Sequence, residues 1–154
     1  TRDLLIGIRP VSWINDNFAI IIVLVATIIT FFFKLNFKVI KKLLVLTDAF
    51  GIGFFTIVGL QIALQAGISE GYALIMGVIT ATFGGLLADV LCNSVPNLLK
   101  PGELYATACL IGGALYLAMR FFKINHELSM IICVLITAAI RIYSIRKKLQ
   151  LPVI

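Results

Sequence analysis

Apolar residues run along this chain in five long blocks, parted by short clusters of charge, glycine and proline. The blocks cover Asn17–Phe33, Leu43–Leu64, Gly71–Ala88, Leu104–Met119 and Leu128–Ser144. None alternates as a strand would, and each comes near the roughly 20 residues that a helix needs to cross a hydrocarbon core. Five transmembrane helices are predicted. The first and fourth are short, which implies little tilt or a locally thin bilayer. The first is almost uniformly apolar and ends in Phe31, Phe32 and Phe33, so lipid contact is its expected role. The second differs in kind, carrying Asp48, Gly51, Gly53, Thr56, Gly59 and Gln61. Asp48, Gly51, Phe55, Gly59 and Ile62 fall roughly on one helical stripe, a pattern that suits close approach of a neighbouring helix.

The third block runs into the most informative stretch, Thr80 to Pro96. Thr80 and Thr82 precede Gly84-Gly85, and Asp89 follows. Each glycine weakens a helix interior by about 1 kcal/mol against alanine. The expectation is an interrupted helix whose freed carbonyls face something polar, tolerable at membrane depth only inside protein or beside a wet cavity. Gly112-Gly113 in the fourth block reads as a small-residue packing surface.

Composition sharpens this picture. Of 154 residues 61% are hydrophobic and only 13% charged, and the mean hydropathy is +1.11. A soluble domain has about a quarter of its residues charged. The net charge of +6 would in a soluble protein raise nucleic acid as a partner. Here the basic residues flank apolar blocks, where they set topology, and no nucleic-acid partner is expected. Cys92, Cys109 and Cys133 are odd in number and widely spaced, which argues against a disulfide framework or a zinc site. There is no Ser/His/Asp set, paired histidine or phosphate-binding glycine loop, so no enzyme and no cofactor is expected. No signal peptide is visible, and the chain does not open with methionine. A natural beginning upstream of Thr1 is the expectation.

Alternating spans place Lys34, Lys38, Lys41, Lys42, Lys100, Arg141, Arg146, Lys147 and Lys148 on one face, and Arg2, Arg9, Arg120 and Lys123 on the other. The positive-inside rule then puts the C-terminus in the cytoplasm of a multi-pass plasma-membrane protein. Trp13 reads as an interfacial anchor before the first span, Lys34–Lys42 as a basic loop, and Lys100–Glu103 as a tight reversal.

Several residues admit two readings. Asp48 is either an acid paired with Lys41 or Lys42 near the headgroups, or a cation-attracting group. Asp89 is a helix-end residue or a pore-mouth charge. Thr56, Thr80 and Thr82 either bond their own helix carbonyls or line a path. Gln61 reads as interfacial or ion-lining, His126 as solvated loop surface. The basic run at Arg146–Lys148 is a topology signal, or a contact for anionic lipid.

Asp3, Leu5 and Pro10 recur at the same spacing as Asp89, Leu91 and Pro96, with Leu24 matching Leu110. Three spans separate the two copies, so they enter from opposite sides, the inverted-repeat arrangement that brings paired segments together near the midplane. The runs Leu46-Thr47-Asp48-Ala49-Phe50-Gly51 and Phe55-Thr56-Ile57-Val58-Gly59 resemble the fourth helix of the prokaryotic trimeric intracellular cation (TRIC) channels. Gly77-Val78-Ile79-Thr80, Gly84-Gly85 and Asp89-Val90-Leu91 resemble their fifth helix. Glu103-Leu104-Tyr105-Ala106-Thr107-Ala108 is similar to the start of the sixth, and Thr1-Arg2-Asp3-Leu4-Leu5 to the end of the second.

The resemblance spans nearly the whole chain and implies an all-α integral membrane protein of seven helices, five of them visible here. These form two inverted three-helix repeats plus a final helix, in a homotrimer with one pore per subunit and glycine-rich kinks in helices two and five. Residues 1–15 would then hold the end of the first repeat's kinked helix and an interfacial segment, and 16–42 that repeat's third helix and a basic loop. Residues 43–122 would form the second repeat, and 123–154 the final helix and basic tail. Two positions depart from the family pattern: Phe83 stands where a first glycine is usual, and Ala88 where an arginine precedes the aspartate. Arg2 keeps that arginine in the first copy.

Two functions remain open on these grounds. One is a channel for K⁺ and Na⁺, in which acids and carbonyls replace hydration water. The other is a secondary transporter of a small zwitterion such as glycine. Arg2, Asp3, Asp48, Thr56, Thr80, Thr82, Phe83, Gly84, Gly85 and Asp89 are the candidate pore or substrate residues, with no metal beyond a transient monovalent cation.

Overall fold

The computed structural model describes residues 2–7, 17–32, 37–96 and 104–147. Arg9, Pro10, Trp13, Lys34, the reversal at Lys100–Glu103 and Lys148 lie outside the described residues. Among the described residues six helices follow in order: α1 (Arg2–Ile6), α2 (Asn17–Phe32), α3 (Phe37–Gln65), α4 (Glu70–Leu91), α5 (Tyr105–Phe121) and α6 (His126–Lys147). Every apolar block of the sequence is thus a helix. Three of them are long and apolar enough to cross a membrane: Leu43–Gln65, Glu70–Leu91 and His126–Lys147. Ile20–Thr30 and Tyr105–Phe121 are shorter apolar helices. The basic loop expected over Lys34–Lys42 is helical from Phe37 onward. Lysine is a good helix former, so the helix needs no loop to accommodate these residues.

Helix ends are set by local backbone chemistry. After α3, Gly67 adopts a left-handed φ of +81°, its N–H donating to the Leu64 carbonyl and that of Ile68 to Ala63. The same paired bonds close α4 at Asn93 and α5 at Lys123, also at positive φ. These are Schellman ends, which satisfy carbonyls that the last turn would otherwise leave bare.

α3 is the hub, packed most extensively against α4 and then against α6 and α5. Glycine permits this. A Cβ on Gly59 would lie 2.6 Å from Thr80 Oγ1, and one on Gly77 would lie 2.6 Å from the Thr56 carbonyl oxygen. At this crossing α3 and α4 touch backbone to backbone, as small-residue interfaces allow. Gly112 meets Thr137 of α6 in the same manner. The core between them holds Ile57, Leu60, Ala63, Ala73, Tyr116 and Cys133. The buried hydroxyls of Thr56 and Thr137 are satisfied within their own helices: Thr56 donates to the Ile52 carbonyl at 2.6 Å and Thr137 to Cys133 at 2.8 Å. Along α2, by contrast, Ile20 to Ile29 are exposed wherever they are large and apolar, as a lipid-facing helix would be.

The expected interruption at Gly84-Gly85 is absent: α4 continues through it to Leu91. Two glycines cost a helix about 2 kcal/mol, and a 22-residue helix packed along α3 tolerates that. The carbonyls stay in the helix. What the glycines supply instead is space.

Candidate functional site

On α3, Leu44, Thr47, Asp48, Gly51, Ile52, Phe55, Val58 and Ile62 recur at intervals of one to four residues, which sets them on one face of the helix. That face borders an open cavity of about 890 Å³, lined on other sides by α4, by Tyr105 of α5 and by Arg2 and Asp3 of α1. From Leu44 to Ile62 the wall covers 18 residue steps, or about 27 Å at 1.5 Å per residue. A hydrocarbon core is about 30 Å thick. The cavity therefore follows α3 over most of a membrane's depth.

The stripe expected to hold a neighbouring helix is largely this cavity's wall. Asp48, Gly51, Phe55 and Ile62 line it, and only Gly59 turns to α4. A Cβ on Gly51 or on Gly84 would meet nothing within 4 Å, so both glycines open directly on the space. Gly85 borders the cavity too, and a Cβ there would meet the Tyr105 hydroxyl at an ordinary contact distance of 3.4 Å.

Of the ten candidate residues, Arg2, Asp3, Asp48, Thr80, Phe83, Gly84 and Gly85 border this one cavity. Thr56, Thr82 and Asp89 do not. Thr56 is fully buried in the α3 packing surface. Thr82 is buried too, donating to the Val78 carbonyl at 2.8 Å. Asp89 sits in the last turn of α4, where its carbonyl and Ser94 close the helix end. A helix advances 100° per residue, so neighbours of a lining position face elsewhere. Thr80 lines the cavity while bonding its hydroxyl to Met76 of its own helix at 2.6 Å.

The acid near the Leu44 end of the wall, Asp48, is held from two sides. Tyr105 donates its hydroxyl to Asp48 Oδ1 at 3.1 Å, and Arg141 Nε lies 3.9 Å from Oδ2. Arg141 is buried, its guanidinium stacked 4.5 Å above the Tyr105 ring. Cation–π stacking and a nearby carboxylate both lower the cost of burying that charge. Asp48 itself keeps 43% of its side chain exposed, toward the cavity. On the opposite rim Arg2 Nε donates to Asp3 Oδ1 at 2.9 Å. The described residues thus give Asp48 a partner in Arg141, which was expected to be a topology charge on the membrane face.

A signal for this pair existed: an arginine within one apolar span and an aspartate within another are each costly alone and commonly pair. Tyr105 gave no such signal, since a tyrosine at a span's end reads equally well as an interfacial anchor. His126 also differs from expectation. It is exposed, as a surface histidine should be, but it opens α6 instead of lying in a loop, with Nδ1 2.9 Å from the Tyr116 hydroxyl, and Gln61 reaches the same hydroxyl at 3.1 Å. Among the described residues no group of three or more His, Cys, Asp or Glu is placed to hold a metal.

Removing the acid takes a charge partner from a buried cation. Asp48→Asn should lower stability by about 3 kcal/mol, the low end for breaking a buried pair, because Asp48 is half in the cavity. Adding Arg141→Met should recover part of that loss. Thermal unfolding of the single and double variants measures the coupling, and strictly additive losses would show that the two groups do not interact.

Comparison with known proteins follows the same lines. The family model described as Glycine transporter matches residues 45–120. The UPF0126 inner membrane protein YadS of Escherichia coli is 32% identical over 153 residues, covering 98% of this chain and 73% of the relative. A UPF0126 membrane protein of Vibrio cholerae is 34% identical, covering 98% of this chain and 63% of its own length. Among solved structures, one concerned with conductance through TRIC cation channels superposes with a TM-score of 0.87 at 31% identity. It spans 99% of this chain, which covers 75% of it. The TRIC trimeric intracellular cation channel orthologue from Rhodobacter sphaeroides gives 0.86 at 33% identity, over 96% of this chain and 76% of its own.

Proposed function

This chain belongs to the UPF0126 membrane protein family and has a TRIC-like fold, and from that premise we propose that it forms a membrane channel permeable to K⁺ and Na⁺. The observation that carries the reading is the cavity beside α3, lined near its Leu44 end by a partly exposed acid and opened by two glycines. A cation entering it would exchange hydration water for the Asp48 carboxylate and for the hydroxyl oxygens of Thr47 and Thr80, which border the same space. The carboxylate's tether to Tyr105 and Arg141 fixes its position, and its neighbouring positive charge keeps binding weak enough for the ion to leave.

The proposal extends to the whole protein. Seven spans in two inverted repeats plus a final helix would place α1 and α4 as symmetry mates, and these two helices do border the same cavity. The relatives support a homotrimer with one such path per subunit, seated in the cell membrane. With Arg141 withdrawn into the bundle, the remaining basic residues still favour a cytoplasmic C-terminus.

A second reading, transport of a small zwitterion such as glycine, is favoured by one feature: Arg2 and Asp3 present opposite charges to the same space. Unitary current separates the two. In a planar bilayer under a KCl gradient, the full-length protein should give discrete current steps that reverse toward the K⁺ potential. Asp48→Asn should move that reversal toward zero. Electrically silent, saturable glycine counterflow would instead favour the carrier, and an unmoved reversal potential would take Asp48 out of the ion path.

A further inference from the structure

A second cavity, of about 460 Å³, lies at the end of the bundle where α3 and α5 finish and α6 begins. Its polar lining includes Gln61, Tyr116, Arg120, Lys123 and His126, with no carboxylate among the residues that border it. Tyr116 is 3% exposed, so its hydroxyl is the buried floor of this cavity. That hydroxyl accepts a hydrogen bond from Gln61 Nε2 at 3.1 Å and lies 2.9 Å from His126 Nδ1.

Counting protons shows what the floor offers. When the hydroxyl donates to Nδ1, the neutral ring carries its proton on Nε2. When Nδ1–H donates instead, the hydroxyl's own hydrogen is left over. Either way one N–H or O–H of the trio is not used within it. The rim adds the guanidinium of Arg120 and the ammonium of Lys123, which carry donors only. We propose that this cavity binds a phosphate ester or phosphodiester, gripped by Arg120 and Lys123 with the Tyr116–His126 donor beneath.

Phosphate chemistry fits on three counts. Charge-assisted bonds from arginine to phosphate oxygens are among the strong ones. A volume of about 460 Å³ is in the range of sites for organic ligands, not bare ions. Leu64 and Ile124 give the walls an apolar portion, suited to a glycerol or acyl-proximal segment. The location, at the ends of three helices, is the depth at which phospholipid headgroups lie. The ligand is either a lipid headgroup or a soluble phosphate ester, and the site does not depend on whether the protein is a channel or a carrier.

The test is thermal unfolding of the purified full-length protein. One arm titrates inorganic phosphate against chloride at equal ionic strength. The other compares phosphatidylcholine nanodiscs with and without phosphatidylglycerol. A raised midpoint with phosphate points to a soluble ester, and one with phosphatidylglycerol alone points to a headgroup. In either arm Arg120→Gln/Lys123→Gln should weaken apparent affinity by about tenfold or more, the loss expected for two charge-assisted bonds. Tyr116→Phe, which keeps the ring's packing, should weaken it less. No midpoint change in either arm, an equal response to chloride, or an undiminished response in the double variant overturns the proposal.

Discussion

Gly84→Leu should cut unitary K⁺ current by about tenfold or more, equivalent to a barrier raised by about 1.4 kcal/mol, without loss of stability. Nothing lies within 4 Å of where its Cβ would go, and the space it enters is the cavity beside α3. The substitution also replaces a helix-weakening residue by a strong helix former, which favours α4 by about 0.8 kcal/mol. A stable protein that no longer conducts is the expected outcome, read by single-channel recording beside a thermal melt. Phe83 already stands at the neighbouring position and borders the same cavity. Gly51→Leu, entering from the α3 side, should act in the same direction.

Gly77→Leu should have the opposite signature, with the fold itself lost. The Cβ alone would sit 2.6 Å from the backbone oxygen of Thr56, and backbone cannot swing aside as a flexible side chain can. Alanine there should destabilise by about 1–3 kcal/mol, the usual penalty of overpacking, with leucine prying α3 from α4. The readout is the yield of monodisperse protein and its melting midpoint. A Gly77→Leu protein as stable as the parent would show that the α3–α4 crossing is looser than described.

The contrast between these glycines explains how far the sequence could be read. Helices were legible because apolar runs of sufficient length in lipid have few alternatives to helix. The residues of interest on α3 and α4 were legible too, since glycine and acid in an apolar span stand out. Their division of labour was not. Gly59 and Gly77 weld two helices while Gly51 and Gly84 leave an opening, and nothing in residue type separates the two roles. Spacing along one helix fixes which residues share a face, but not what that face meets.

For the same reason Thr56 and Thr82 fall into packing surfaces although Thr80 reaches the cavity. The partners of Asp48 come from α5 and α6, Tyr105 and Arg141, separated by 57 residues and more along the chain. Such pairings need the three-dimensional arrangement. An uninterrupted α4 was the main surprise. Helix packing absorbs the glycines' cost, and the proposed path is the cavity beside the helix rather than a gap in it.

The account rests on that path being wet and conducting. Thiol modification tests it most directly, with Gly84→Cys recorded in a planar bilayer during addition of a water-soluble, charged thiol reagent. Native Cys92 is exposed and lies off the cavity wall, while Cys109 and Cys133 are buried, so the parent protein serves as the control. The K⁺ current of Gly84→Cys should fall as the reagent reacts, while the parent's current holds steady. A current that persists in a Gly84→Cys protein shown by mass to be fully modified would place the ion's route elsewhere.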